Sequence, residues 1–207
     1  MPRVHFVKKA RKPNPVAEIG EPYYWWKFRY GGKRFSKTHP KQSQLTQSEF
    51  LGRYYAIQEG LNEGCYFTDF DTLNDGIETL RNELEELMEE TQEKLDNMPE
   101  QLQDSETGQL LQERIDNLDS WISELDNIDV PDEDDLKKEI EENEEMVDCP
   151  SCNGEGDPEC PECNGEGEVV MTEEKAPDEF AEKLEELKLE RFEEIRDEVS
   201  GADPGIG

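Results

Sequence analysis

Leu73-Asn-Asp-Gly-Ile77-Glu-Thr-Leu80-Arg-Asn-Glu-Leu84-Glu-Glu-Leu87 sets an apolar residue at alternating steps of four and three. That spacing is a heptad seam, which turns one narrow stripe of a helix toward a partner. The seam broadens at Thr91, resumes near Leu95 and Met98, and stops at Pro99, where the ring and the missing N–H end a helix. Leu111, Ile115, Leu118, Ile122 and Leu125 repeat the spacing with Trp121 beside them. A short connection between two such segments predicts an acidic helical hairpin, or coiled coil, over residues 65–130. Spacing alone leaves open whether the facing helix is intramolecular or belongs to a second copy, so a homodimer through the coiled coil is one expected assembly.

Working outward, residues 131–200 read as two further helices. Leu136, Ile140 and Met146/Val147 suggest a short one after Val130-Pro131. Phe180, Leu184, Leu187, Phe192, Ile195 and Val199 suggest a longer one from about Asp178 to Val199. Residues 201–207 read as a flexible tail. The N-terminal region, residues 1–64, has a different period. Arg3 to Lys8 reads as a short strand, and the aromatic-rich runs Tyr23 to Tyr30 and Lys33 to Thr38 are joined by Gly31-Gly32. A Gly-Gly pair between two such runs predicts a two-residue hairpin turn. In that register Phe28 opposes Phe35, Trp26 opposes Lys37, Tyr30 opposes Lys33 and Arg29 opposes Arg34. A helix then opens with the capping box Thr46-x-x-Glu49. Its stripe Phe50, Tyr54, Ile57, Leu61 is placed to cover one aromatic sheet face. The fold class expected is α+β, mostly α. It comprises a basic three-stranded head with one helix, an acidic helical hairpin, and two further helices around a cysteine-rich insert.

Charge separates these regions. Residues 1–58 hold 12 Lys/Arg and 3 Asp/Glu, whereas residues 59–207 hold 10 and 51, within a net charge of −32. Only 32% of the 207 residues are hydrophobic, below the roughly 45–50% of ordinary globular domains, so one large core is not expected. Within the head, Trp25, Lys27, Arg29 and Arg34 share the face opposite the aromatic core and are the candidate nucleic-acid contacts, through phosphates and bases. The acidic helices either serve solubility or imitate a phosphate backbone and occupy a nucleic-acid-binding protein. No apolar run approaches the roughly 20 residues of a membrane helix, and Met1-Pro2-Arg3-Val4 lacks the apolar stretch of a signal peptide. The expectation is a soluble, cytoplasmic protein with no membrane partner.

The most specific motif is Cys149-Pro-Ser-Cys152-Asn-Gly-Glu-Gly156, repeated at an offset of 11 as Cys160-Pro-Glu-Cys163-Asn-Gly-Glu-Gly167. Two Cys-x-x-Cys elements supply the four thiolates of a tetrahedral structural Zn²⁺. Four protein ligands leave no open position for water, so the ion expected is structural. A thioredoxin-like redox site needs one such element opening a helix, which Gly-Glu-Gly does not supply. Disulfides are disfavoured in a cytoplasmic chain.

Over residues 149–167 the sequence resembles the cysteine-rich zinc domain of DnaJ co-chaperones, built from Cys-x-x-Cys-x-Gly-x-Gly repeats. That domain has four repeats and two zincs; two repeats here imply one Zn²⁺ on Cys149, Cys152, Cys160 and Cys163, in a treble-turn, four-cysteine knuckle spanning residues 149–170. The His-Pro-Asp signature of a J-domain is missing from the sequence, so the resemblance does not imply stimulation of an Hsp70 ATPase. Half-domains of this kind occur in small regulatory proteins that bind other proteins and in phage proteins. The head's outline, three strands followed by a helix, also resembles the arm-binding domain of tyrosine recombinases.

Nothing else in the sequence argues for catalysis. The two histidines, His5 and His39, lie in the head, and no phosphate-binding glycine loop occurs. Cys65, near Tyr66, Phe67 and Phe70, reads as a small buried hydrophobe. The expected function is a non-enzymatic zinc-binding adaptor or regulator. Its head would bind nucleic acid, and its helices and zinc module a protein. The alternatives are an acidic inhibitor of a nucleic-acid-binding protein and a chaperone-like client binder.

Overall fold

A computed structural model describes residues 1–205; the last two residues of the expected tail lie outside the described residues. The chain is α+β and mostly α, with six helices and two small antiparallel sheets among the described residues. It forms two compact units, one of residues 1–66 with 78–122, the other of residues 67–77 with 123–204.

The first unit begins with a three-stranded sheet of β1 (His5–Val7), β2 (Tyr23–Lys27) and β3 (Lys33–Ser36), in that order. Trp25 pairs with Phe35 and Lys27 with Lys33, so the connection is the five-residue loop Phe28–Gly32 and not a two-residue Gly-Gly turn. The expected register is therefore wrong by three residues, and Arg29 does not face Arg34. Two contacts favour the observed pairing. Phe28 leaves the strand and becomes buried, with the Arg34 guanidinium 5.2 Å from its ring centre. Lys33, now opposite Lys27, lays its ammonium 4.4 Å above the Trp25 ring, an attraction that offsets like-charge repulsion across the strands.

Helix α1 (Glu49–Asn62) follows. Its cap is Ser48, whose hydroxyl accepts the Leu51 N–H at 3.4 Å. Thr46, expected in that role, instead accepts the Ser48 N–H at 3.1 Å. The stripe Phe50, Tyr54, Ile57 is buried as its spacing predicts, and Leu61 is half-buried. Gly64 ends the helix at φ +68°, with the Cys65 N–H bonded to the Gly60 carbonyl at 2.9 Å. This left-handed cap leads the chain outward, and Cys65 is exposed, contrary to the sequence expectation.

Helices α2 (Leu73–Asp96) and α4 (Glu106–Asp126) are linked through the single turn α3 (Glu100–Gln103) beyond Pro99. In the first unit α1 packs against both. Arg53 pairs with Glu86 and Glu90, and Lys94 with Glu49, so α1 and α2 run antiparallel. Tyr54 meets Trp121 edge-on at 5.9 Å, and the Arg114 guanidinium lies 4.4 Å from the Phe50 ring centre, so α1 and α4 run parallel. The seam residues Leu80, Leu84, Leu87, Leu118 and Trp121 are buried within the chain. Thr91, which broadens the seam, is buried because its hydroxyl donates to the Leu87 carbonyl at 2.7 Å.

The second unit is built on α5 (Glu133–Glu142) and α6 (Pro177–Gly201). Asp132 caps α5, accepting the Asp135 N–H at 2.9 Å, and Pro177 opens α6, where its lost N–H has no helical partner to forfeit. Leu136 and Ile140 pack with Met171, Ala176, Phe180 and Leu184. Met146 and Val147, expected to extend α5, instead form β4 (Met146–Asp148), paired with β5 (Glu168–Val170). Phe67 and Phe192 meet edge-on at 6.2 Å.

Candidate metal centre and basic sheet

Strands β4 and β5 form the neck of the cysteine-rich loop. Their ladder continues into it through the Cys149 N–H, which donates to the Gly167 carbonyl at 2.8 Å. Beyond the neck the two repeats fold alike. The Glu155 N–H bonds the Cys152 carbonyl, and the Glu166 N–H the Cys163 carbonyl, both at 3.0 Å. Asn153 and Asn164 take positive φ of 49° and 50°, a conformation that asparagine tolerates better than most side chains.

The repeats meet through their glycines. A Cβ on Gly167 would lie 2.8 Å from the Gly154 carbonyl oxygen, and one on Gly156 would lie 3.1 Å from that of Gly165. The Gly-x-Gly pairs therefore serve close approach of two backbones, and that approach brings the sulfurs together. Cys149 Sγ lies 3.7 Å from Cys160 Sγ, and Cys152 Sγ 3.6 Å from Cys163 Sγ. All four lie within 4.8 Å of one another. A regular tetrahedron with metal–sulfur bonds of about 2.3 Å has sulfur–sulfur edges of about 3.8 Å, so the four side chains are close enough to hold a metal ion.

Three of the thiols are buried, and Cys152 is half-buried. Val169 packs with them, and Val147 lies against the cluster. Burial pushes the Cys149 thiol up to about 12, although the N–H groups of Cys152 and Ser151 bond its sulfur and pull the other way. A metal ion reverses this balance, because a coordinated thiol is deprotonated outright. No family model matches the chain, and no curated protein or solved structure does.

The four head residues singled out in the sequence are separated by the observed register. Trp25 and Lys27 lie on one face of the sheet, Arg34 projects from the other opposite Trp26, and Arg29 sits in the loop with its guanidinium 5.4 Å from the Tyr30 ring centre. Trp26 is buried at 3% exposure, whereas on the other face His5, Trp25 and Phe35 are half-buried and Lys27 and Lys33 are exposed. Lys27 and Arg29 also line a groove of about 540 Å³ with Met1, Thr46, Gln47 and Tyr55. Pairing adds three residues that sequence reasoning did not place with Trp25. His5 and Phe35 stand directly across from it on the neighbouring strands, and Lys33 across from Lys27. The correct β2–β3 loop length would have revealed Phe35 and Lys33, whereas His5 depends on the β1–β2 pairing across the long Pro-rich connector.

No helix among the described residues is long and apolar enough to cross a membrane.

Proposed function

We propose that the chain is a non-enzymatic adaptor, in which one structural Zn²⁺ holds Cys149, Cys152, Cys160 and Cys163 together. On this reading the basic head engages nucleic acid, while the acidic helices and the zinc knuckle engage a protein partner. The observation that carries it is a failure of charge pairing. The chain has 54 carboxylate side chains, yet among the described residues none of them pairs with Lys27, Arg29, Lys33 or Arg34. Arg53, Lys94, Lys137, Lys183, Lys188 and Arg191 all find carboxylates. Cations left unpaired on such an acidic molecule are suited to an external anion, and the phosphate backbone is the densest one available.

Zinc fits the donor set, since four thiolates select a soft or borderline ion and a closed tetrahedron suits a d¹⁰ ion. The ion would cross-link two turns that have little core of their own. Native mass spectrometry is expected to find one Zn²⁺ per chain, lost in the double variant C149S/C160S. Hydrogen exchange after chelation is expected to rise across residues 149–170, where the metal-free knuckle stays folded but opens more often, while α1 stays protected. Anisotropy titration of labelled DNA and RNA with the full-length, zinc-loaded chain tests the head. Absence of binding to every nucleic acid at low salt would overturn its assigned role.

A further inference from the structure

Across the three strands, His5, Trp25 and Phe35 form one direct cross-strand row. The His5 and Trp25 rings are stacked with centroids 4.3 Å apart and planes 10° from parallel. Tyr23, two residues along the same face, approaches Phe35 at 6.1 Å. On the next rung Lys27 faces Lys33, both exposed. Two lysines directly opposite each other repel; the contact of Lys33 with the Trp25 ring offsets part of this, and an anion between the two ammonium groups would offset the rest.

We infer that this face binds single-stranded nucleic acid, with bases on the His5–Trp25–Phe35 row and phosphates on Lys27 and Lys33. The inference rests on the nucleic-acid reading of the head and narrows it to one face and one kind of strand. Every base has a π-face, so an aromatic row takes single strands with little regard to sequence. A duplex keeps its bases stacked inside and offers this row nothing beyond its phosphates. The rings are already held by cross-strand stacking, so little side-chain freedom is lost on binding. The Lys33 ammonium now resting on Trp25 is long enough to turn to a phosphate when a base takes its place. Arg34, on the opposite face, is excluded from the site.

The test is anisotropy of labelled 12-residue oligo-dT and oligo-U, and of a duplex of the same length, with the full-length, zinc-loaded chain between about 50 and 200 mM salt. Single strands are expected to bind more tightly than the duplex. Trp25→Ala should weaken single-strand binding about tenfold or more and leave duplex binding unchanged, and Trp25→Phe should restore most of the loss. Lys33→Gln should reduce the slope of log K against log salt by about 0.7, whereas Lys138→Gln, on the exposed side of α5, should not. Should Trp25→Ala fold poorly, Phe35→Leu keeps the apolar bulk and removes the π-face, and is expected to show the same selective loss. Equal affinity for duplex and single strand, insensitive to Trp25 and Phe35, would overturn this inference and leave the broader reading of the head standing. Displacement by poly-glutamate as effective as by oligonucleotide would assign the face to an acidic protein segment and overturn it too. Loss of all nucleic-acid binding would overturn both.

Discussion

The carbonyl oxygen of Gly154 lies where a side chain on Gly167 would begin, 2.8 Å from an ideal Cβ. Gly167 also sits at φ +82°, a region where a Cβ costs on the order of 1 kcal/mol by itself. The two effects act on one residue. Gly167→Ala is expected to push the repeats apart, open the sulfur cluster and weaken metal retention at least tenfold in competition with a chromogenic chelator. Gly20→Ala provides the comparison, because Gly20 has φ +95° but nothing within 4 Å of its Cβ. It should show only the backbone cost, with metal retention intact. Equal retention by the Gly167 variant and the native chain would contradict the close-approach account.

The metal-free knuckle has a definite pH signature. Burial raises the Cys149 thiol from an ordinary 9.0 to about 12, so the folded form holds its proton where the unfolded chain releases it. Stability from this group is fully present below pH 9.0 and is lost as pH rises toward about 12, because the unfolded state then binds fewer protons. Thermal unfolding of chelated protein should therefore fall between pH 8.5 and 10.5 by more than that of Cys149→Ser, whose hydroxyl does not titrate in this range. A metal-bound form, with the thiol already deprotonated, should not share that fall. Parallel curves for the chelated native chain and the serine variant would contradict the assignment.

The helices are legible in the sequence because a heptad needs only spacing, and Leu84, Leu87, Leu118 and Leu125 are buried as the spacing implies. The gathering of Cys149, Cys152, Cys160 and Cys163 is legible because two Cys-x-x-Cys turns repeated at an offset of 11 bring four sulfurs within 4.8 Å of one another. The hairpin register is not. Gly31-Gly32 is a strong local turn signal, but the register is decided by where Phe28 and Trp26 are buried and by the placement of Lys33 over Trp25. Those are tertiary gains that a two-residue window does not contain. Strands β4 and β5 escape sequence reading for a related reason. Each has three residues, too few for alternation to register, and only the flanking pairs Met146-Val147 and Val169-Val170 mark the neck of the loop.

Arg53 joins α1 to α2 by donating to Glu86 at 2.6 Å and to Glu90 at 2.5 Å. Burial works against its charge, but the two carboxylates outweigh that and raise its pKa overall. Its side chain is about a third exposed, so solvent screens the pair and the expected loss in Arg53→Ala is about 1 kcal/mol. Chemical denaturation in urea should show this loss, and added salt should shrink the difference from the native chain. Arg53→Lys should recover only part of it, since one ammonium does not span two carboxylates as a planar fork does. A full recovery would show that charge alone, and not the fork, holds α1 in place.

Trp121 tests whether the core of the first unit depends on ring packing or on polar chemistry. It is 0% exposed and meets Tyr54 edge-on at 5.9 Å, while among the described residues its indole N–H has no acceptor. A buried, unpaired donor carries a desolvation cost of about 1–3 kcal/mol. Trp121→Phe removes that cost together with part of the ring, so its two effects oppose each other and the net change should be small, within about 1.5 kcal/mol. Trp121→Ala removes the packing with nothing on the other side except the same relieved N–H, and should cost about 3–5 kcal/mol. Urea denaturation of both variants separates the cases. If phenylalanine were as damaging as alanine, the N–H would have to be satisfied in solution by a partner, and the role of Trp121 would be polar and not steric.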